Sequence, residues 1–394
     1  MSSLIQSPTA TDFVQNPYAF YTRARNSGSV QFWHDYNMLA AFSHATVSVL
    51  LKDRRLGREV PQDQQVAPPA HTAPFYAIEA HSLLELEPPN HTRLRGLVLR
   101  AFTSRRIQTL GPDIEALSHA LIDEFPTEPF DLLPRFATRL PVVIIARLLG
   151  VPENISGQLM AWSSAMVRMY QAARTKEVEI AAANAAQAFS GFLRGYIDEK
   201  RLTPGDDLLT ELIVAEEEDG DKLSTDELIS TCILLLNAGH EATVHTLGNA
   251  VKTLLENQTD PNRLTGEQNL QTVEELIRID PPLHMFTRFA YEEVEIGQHR
   301  LKPGDQIALM LGAANHDPAM WEDPHLFNPD RPIKTNMAFG AGRHFCIGAP
   351  LARLELQIAL KVLFERCPNL TITERPFYAN TYHFHGLERL MVQA

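Results

Sequence analysis

The sequence predicts a mainly α protein with small satellite β-sheets. Helical patterns outnumber strand signals along the 394 residues, and one of them is long enough to cross a whole domain. The strand signals are short and scattered, at 29–33, 38–42, 289–296, 306–310 and 388–392. A composition of 44% hydrophobic and 21% charged residues is that of an ordinary globular chain and excludes disorder, collagen and coiled coil. At roughly 150 residues per domain the length allows two or three domains. No repeat or linker divides the chain, however, so the expectation is one large domain over 1–394.

The elements follow in order. The first twenty residues carry no basic n-region and no apolar h-region, so no signal peptide is expected. No window reaches the ~18 apolar residues of a membrane span. Residues 60–74 hold four prolines without a period and read as an irregular surface loop. Residues 138–149 form a helical pattern stopped by Gly150 and Pro152. An Ala-rich helix over 176–201 ends before Pro204 and Gly205. Ser224 with Glu227 three residues on is a capping box. It opens a helix running to about Glu256, ~50 Å long at ~1.5 Å per residue. The middle of that helix (CILLLNAGHEAT, 232–243) is apolar nearly all round and should be buried.

The formal charge is 35 − 48 = −13, which argues against nucleic acid as a partner. Against that background residues 88–112 hold five arginines (93, 95, 100, 105 and 106) and no acid. This stretch is either a solvated face or a docking patch for an acidic protein. Cysteines occur only at 232, 346 and 367, too few and too odd for a disulfide framework, so a cytoplasmic protein is expected.

Cys346 lies in the loop FGAGRHFCIG (339–348), just before the amphipathic helix APLARLELQIALKVLFER. The glycines permit tight turns and close approach to a flat ligand. The helix N-terminus favours thiolate, a good axial ligand for haem iron. A lone cysteine is as a rule buried and inert, so the surrounding pattern decides. That pattern resembles the haem-binding loop of the cytochrome P450 family, F-x-x-G-x-x-x-C-x-G, at Phe339, Gly342, Cys346 and Gly348. Gly340 lies in the same loop, and Leu351, Ala352 and Glu355 in the next helix fit as well. The resemblance runs from the NPYAF start to the HGLERL end. It implies the soluble bacterial fold, with haem b between the long central helix and the Cys loop and Cys346 on the iron.

Three further motifs fall in the family's order. Glu275 and Arg278 share a helical face and can pair. In the family a later arginine joins them, here Arg331, as a structural triad. His91 and Arg95 stand one turn apart, as two donors to a carboxylate. With Arg288 and His344 they resemble the family's propionate ligands. The segment Ala238-Gly-His-Glu-Ala-Thr243 invites a zinc-protease reading. That fails because the next histidine, His245, stands ~140° round the helix at 100° per residue. The segment instead resembles the distal oxygen-activating stretch: Ala238 and Gly239 approach the haem, and Glu241 relays protons. The usual threonine is Ala242, with Thr243 beside it. The departure implies that protons arrive through water, Glu241, Thr243 or a hydroxyl of the substrate.

The resemblance implies a monooxygenase that inserts one atom of O2 into a hydrophobic small molecule. Electrons would come from a separate ferredoxin and NAD(P)H reductase, since no flavin or iron–sulfur unit fits in the chain. Arg100, Arg105 and Arg106 would dock the ferredoxin. The pocket is expected from the 60–85 loop, the 160–175 region and the long helix. Phe75, Met166, Met169, Leu235, Leu283, Met285, Phe286 and Phe384 are the residues named for it. Two alternatives stay open: a peroxide-driven peroxygenase or decarboxylase, and a non-catalytic haem protein.

Overall fold

The computed structural model describes residues 3–170, 174–215, 220, 222–382 and 384–394. Part of the 160–175 region expected to line a pocket, 171–173, lies outside them. The long helix spans Thr225–Glu256 and is opened by Ser224, whose side chain accepts from the Glu227 N–H while Glu227 accepts in return. This helix is the axis of the molecule. The helices Arg139–Leu149, Ser156–Val167, Lys176–Leu202, Asn269–Ile279 and Ala349–Arg366 all pack against it. The main apolar core draws on residues from Val14 to Val392. Gly150 ends its helix at φ 71°, where a Cβ would also strike the Asp207 side chain 2.4 Å away.

The largest sheet has six strands: β1 (Ser3–Leu4), β2 (Val30–Trp33), β3 (Met38–Ala41), β4 (Leu56–Gly57), β5 (Met285–Ala290) and β6 (Gln306–Met310). Their order is β1-β2-β3-β6-β5-β4. Two sequence expectations need correction. The run 289–296 divides into the end of β5 and a separate strand, Val294–Ile296, paired with His299–Leu301. The run 388–392 divides at Leu390, whose N–H is taken by Asp131 and whose carbonyl accepts from Leu132. Its halves, Leu387–Arg389 and Met391–Gln393, therefore join different sheets.

A buried charge cluster fixes how the C-terminal third sits on this core. Glu275 and Arg278 are 3% and 1% exposed. Arg278 donates Nε to Glu275 Oε2 and Nη2 to Oε1, both at 2.7 Å. Arg331 Nε stands 3.1 Å from Glu275 Oε2. Arg278 Nη1 also donates to the carbonyls of Asn315 at 2.7 Å and Pro324 at 2.9 Å. Asn315 Oδ1 then accepts from the Met337 N–H at 2.6 Å, two residues before the Cys loop. One helix thus anchors the whole path of chain leading to that loop.

Replacing Glu275 by Gln leaves two buried guanidinium groups without their carboxylate. We expect a loss of about 3–5 kcal/mol in urea unfolding. A loss below about 1 kcal/mol would contradict the anchoring role.

Candidate functional site

The Cys loop is shaped by its glycines unequally. Gly342 has φ 73°, and a Cβ there would stand 2.4 Å from the Leu51 carbonyl oxygen. Gly348 has φ −76° and room for a Cβ at 3.8 Å from Cys346 Sγ, so the backbone at 348 does not itself demand glycine. The Cys346 N–H donates to Phe339 O at 3.1 Å and closes the loop.

Cys346 lies deep in the protein yet keeps accessible surface, as a residue facing an internal space does. Burial pushes its thiol pKa up. The amides of Gly348 and Ala349 and the charges of Arg95 and Arg353 pull the other way without prevailing. The expected lowering of the thiol pKa is therefore not met by the protein alone. A metal cation, which deprotonates a coordinating thiol, completes the account.

Around the loop stand basic groups lacking acids. Arg288 is 3% exposed, and its one hydrogen bond among the described residues runs from Nη1 to Thr287 O at 2.8 Å. No carboxylate among them reaches ion-pair distance. Burial, then repulsion from Arg58, lowers its pKa to about 10. His91 Nε2 is buried with no partner, and burial lowers this ring's pKa to about 4, so it is neutral. Arg95 Nη2 donates to Phe345 O at 2.7 Å. His344 differs: its Nε2 lies 2.9 Å from Glu87 Oε1. Glu87 also accepts from Arg343 Nη1 at 2.6 Å and from the Arg58 N–H at 2.8 Å. Burial raises this carboxyl, but those bonds outweigh it and bring it down to about 2.

Glu87 was missed by sequence reasoning. Its one signal is its position immediately before the acid-free stretch 88–112. A buried guanidinium without a carboxylate, an orphan imidazole nitrogen and a thiol together fit an iron-bearing group with anionic arms. The donor set is therefore right for haem: Cys346 would hold the iron, and Arg288, His91 and Arg95 its carboxylates.

On the central helix, Ala238 is exposed although Asn237 and His240 on either side of it are buried, so the helix borders open space at its middle. Gly239 turns its Cβ direction toward Ile145, 3.4 Å away, and serves packing on Arg139–Leu149. Thr243 spends its hydroxyl on Gly239 O at 2.9 Å. Glu241 lies 3.4 Å from His240 Nε2 and 3.5 Å from His245 Nε2. Burial raises its carboxyl, but His245 and His240 outweigh it, and the net shift is downward.

The structure places the expected pocket residues as follows. Phe75 is 2% exposed, Met166 0% and Met169 5%, and all three belong to the main apolar core. Phe286 lies beneath the Cys loop, 3.1 Å from the Cβ position of Gly340, because strand alternation puts it on the face of Arg288. Met285 points to the opposite face and packs with Phe13, Tyr21 and Trp33. Leu235, Leu283 and Phe384 keep partial exposure, the last two joined as a β-bridge. The Arg patch also shrinks. Arg93 pairs with Glu227, and Arg106 with Asp206 at 3.3 Å and Glu211 at 3.2 Å. Arg100, which has an interaction of its own, and Arg105 lie at the surface.

Residues 270–376 match the family model described as Cytochrome P450. Along 97% of its length this chain is 35% identical to Cytochrome P450 monooxygenase PikC of Streptomyces venezuelae, covering 92% of that protein. It is 33% identical to the polyketide biosynthesis cytochrome P450 PksS of Bacillus subtilis, over 100% of this chain and 99% of the relative. The solved PksS structure superimposes with a TM-score of 0.88 at 32% identity, covering 98% and 99% of the two chains. P450BioI, solved with a fatty-acyl-ligated acyl carrier protein, gives 0.90 at 30% identity, covering 98% and 100%.

Two predictions follow from the charges. Arg288→Met should speed haem loss to apomyoglobin about 10–100-fold, the worth of a charge-assisted hydrogen bond. The same change should leave the haem-free protein no less stable; unchanged haem loss would contradict the assignment. Glu87, with a folded pKa depressed from 4.5 to about 2, adds stability above pH ~4.5 that is lost as pH falls toward 2. Glu87→Gln should lose less stability than wild type across that window in urea midpoints. Parallel curves would contradict the Glu87 linkage.

Proposed function

Because the chain belongs to the cytochrome P450 family of haem-dependent monooxygenases, we propose that it inserts one oxygen atom of O2 into a hydrophobic small molecule. The observation that carries the reading is Arg288, a buried guanidinium beside the Cys loop with no carboxylate partner among the described residues. Haem b, a cofactor with two propionates, answers it; when bound, that group supplies the oxygen chemistry. The chain acts as one domain over 1–394 in the cytoplasm, with electrons from a separate ferredoxin and NAD(P)H reductase. Arg100 and Arg105 are the surface cations suited to such an acidic donor. Relatives named as vitamin D(3) 25-hydroxylase and 6-deoxyerythronolide B hydroxylase point to a bulky, largely apolar substrate.

The chain's own residues divide the work. Cys346 holds the iron, while Arg288, His91 and Arg95 orient the cofactor through its carboxylates. Glu87 holds the Cys loop through His344 and Arg343. Ala238 and Leu235 border the substrate space, with Leu283 and Phe384 across from them. Glu241 stays ionised between His240 and His245 and accepts a proton at Oε1 or Oε2. Ala242 has no hydroxyl, and that of Thr243 is committed to Gly239 O. The Thr243 hydroxyl keeps acceptor capacity for a water, but Ala242 gives this turn no second hydroxyl. Proton delivery then runs through ordered water or a hydroxyl on the substrate.

The reduced carbon-monoxide complex of the wild type should give the Soret band of thiolate-ligated haem, and Cys346→Ala should lose it. A wild type without that band would overturn the proposal. Ala242→Thr should bring little gain in product formed per NAD(P)H consumed. A large gain with unchanged regioselectivity would contradict water- or substrate-assisted delivery.

A further inference from the structure

Away from the Cys loop, three ligand-type side chains converge in the interior. Asp280 ends the helix Asn269–Ile279, His284 leads into β5, and His385 lies near the C-terminus. They are 6%, 0% and 4% exposed, and one ligating atom from each lies within 4.8 Å of the others. Asp280 Oδ1 and His385 Nε2 are 3.4 Å apart. Two ligands on a tetrahedral zinc with bonds of roughly 2.1 Å stand about 3.4 Å from each other.

The charge balance here is incomplete. Asp280 accepts from the Tyr18 hydroxyl at 2.9 Å and from the Tyr378 hydroxyl. No lysine or arginine among the described residues reaches its carboxylate. His385 Nε2 is the one ion-pair partner of this carboxylate among the described residues. A carboxylate and two imidazoles form a ready ligand set for a borderline divalent metal.

The surroundings supply the support such a site needs. His284 Nδ1 lies 2.8 Å from the Tyr21 hydroxyl, which orients the ring and leaves Nε2 toward Tyr18 at 3.4 Å. Tyr18 is placed to be a fourth ligand or to yield that position to water. A cavity of 590 Å³ lined by Tyr18, Asp280, His316, Tyr378 and His385 gives a route to the cluster.

We propose that Asp280, His284 and His385 bind one divalent transition-metal ion, with zinc the natural candidate, at a site separate from the cofactor site. The ion would tie together the N-terminal helix carrying Tyr18 and Tyr21, the end of the ion-pair helix, and the C-terminal segment.

The test uses haem-loaded protein treated with chelator, dialysed against buffered free zinc and analysed for metal. One zinc per chain is expected. X-ray absorption at the zinc edge should show two imidazoles and oxygen ligands at roughly 2.0–2.1 Å. Asp280→Asn and His385→Ala should weaken binding at least about tenfold, while His34→Ala, at an exposed histidine, should not. If a variant fails to fold, judged by circular dichroism and the carbon-monoxide spectrum, the wild-type absorption spectrum decides. Sulfur ligands, zinc retained undiminished by folded variants, or no zinc bound by the wild type would each overturn the proposal.

Discussion

The pairing of Glu275 with Arg278 and Arg331 is the constraint on which the rest of the site depends. Two cations share one buried carboxylate, and the spare guanidinium donors take up main-chain carbonyls over residues 315–326. Such a cluster adds little net stability over apolar packing, but losing one member is costly. Its service is specificity. It selects one path for a segment with little regular structure, and that path delivers the Cys loop to the central helix.

The charges around the loop follow a second logic. Where the protein can close its own balance it does so, as Glu87 shows by holding His344, Arg343 and the Arg58 amide. Where it does not, as at Arg288 and His91 Nε2, a buried nitrogen is left without an acid partner among the described residues. The thiol obeys the same logic, since burial keeps it protonated until a cation arrives. The apoprotein thus carries an electrostatic deficit whose sign and placement describe its cofactor.

Much of this was legible in the sequence because it is local. The capping box, the Gly150 stop, the Glu275–Arg278 pair and the glycines before Cys346 depend on residues a few positions apart. What was not legible is long-range. Glu87 meets His344 across 257 positions, and Tyr378 meets Asp280 across 98. The pocket residues are hard to read for a related reason. Phe75, Met166 and Met169 are apolar in the right neighbourhood, but hydrophobicity cannot separate a wall from its backing. Met285 and Phe286 are sent to opposite faces by strand parity, which one residue inverts. The Arg patch shrank because its partners, Glu227 and Glu211, lie on helices more than a hundred residues downstream.

The central claim is that this chain holds a haem whose iron is bound by the thiolate of Cys346. Low-temperature electron paramagnetic resonance of the ferric, substrate-free protein tests it most directly. The account predicts the rhombic low-spin signal of a thiolate-ligated haem, absent from Cys346→Ala at equal haem content. A signal typical of bis-imidazole ligation, or one unchanged in that variant, would contradict it.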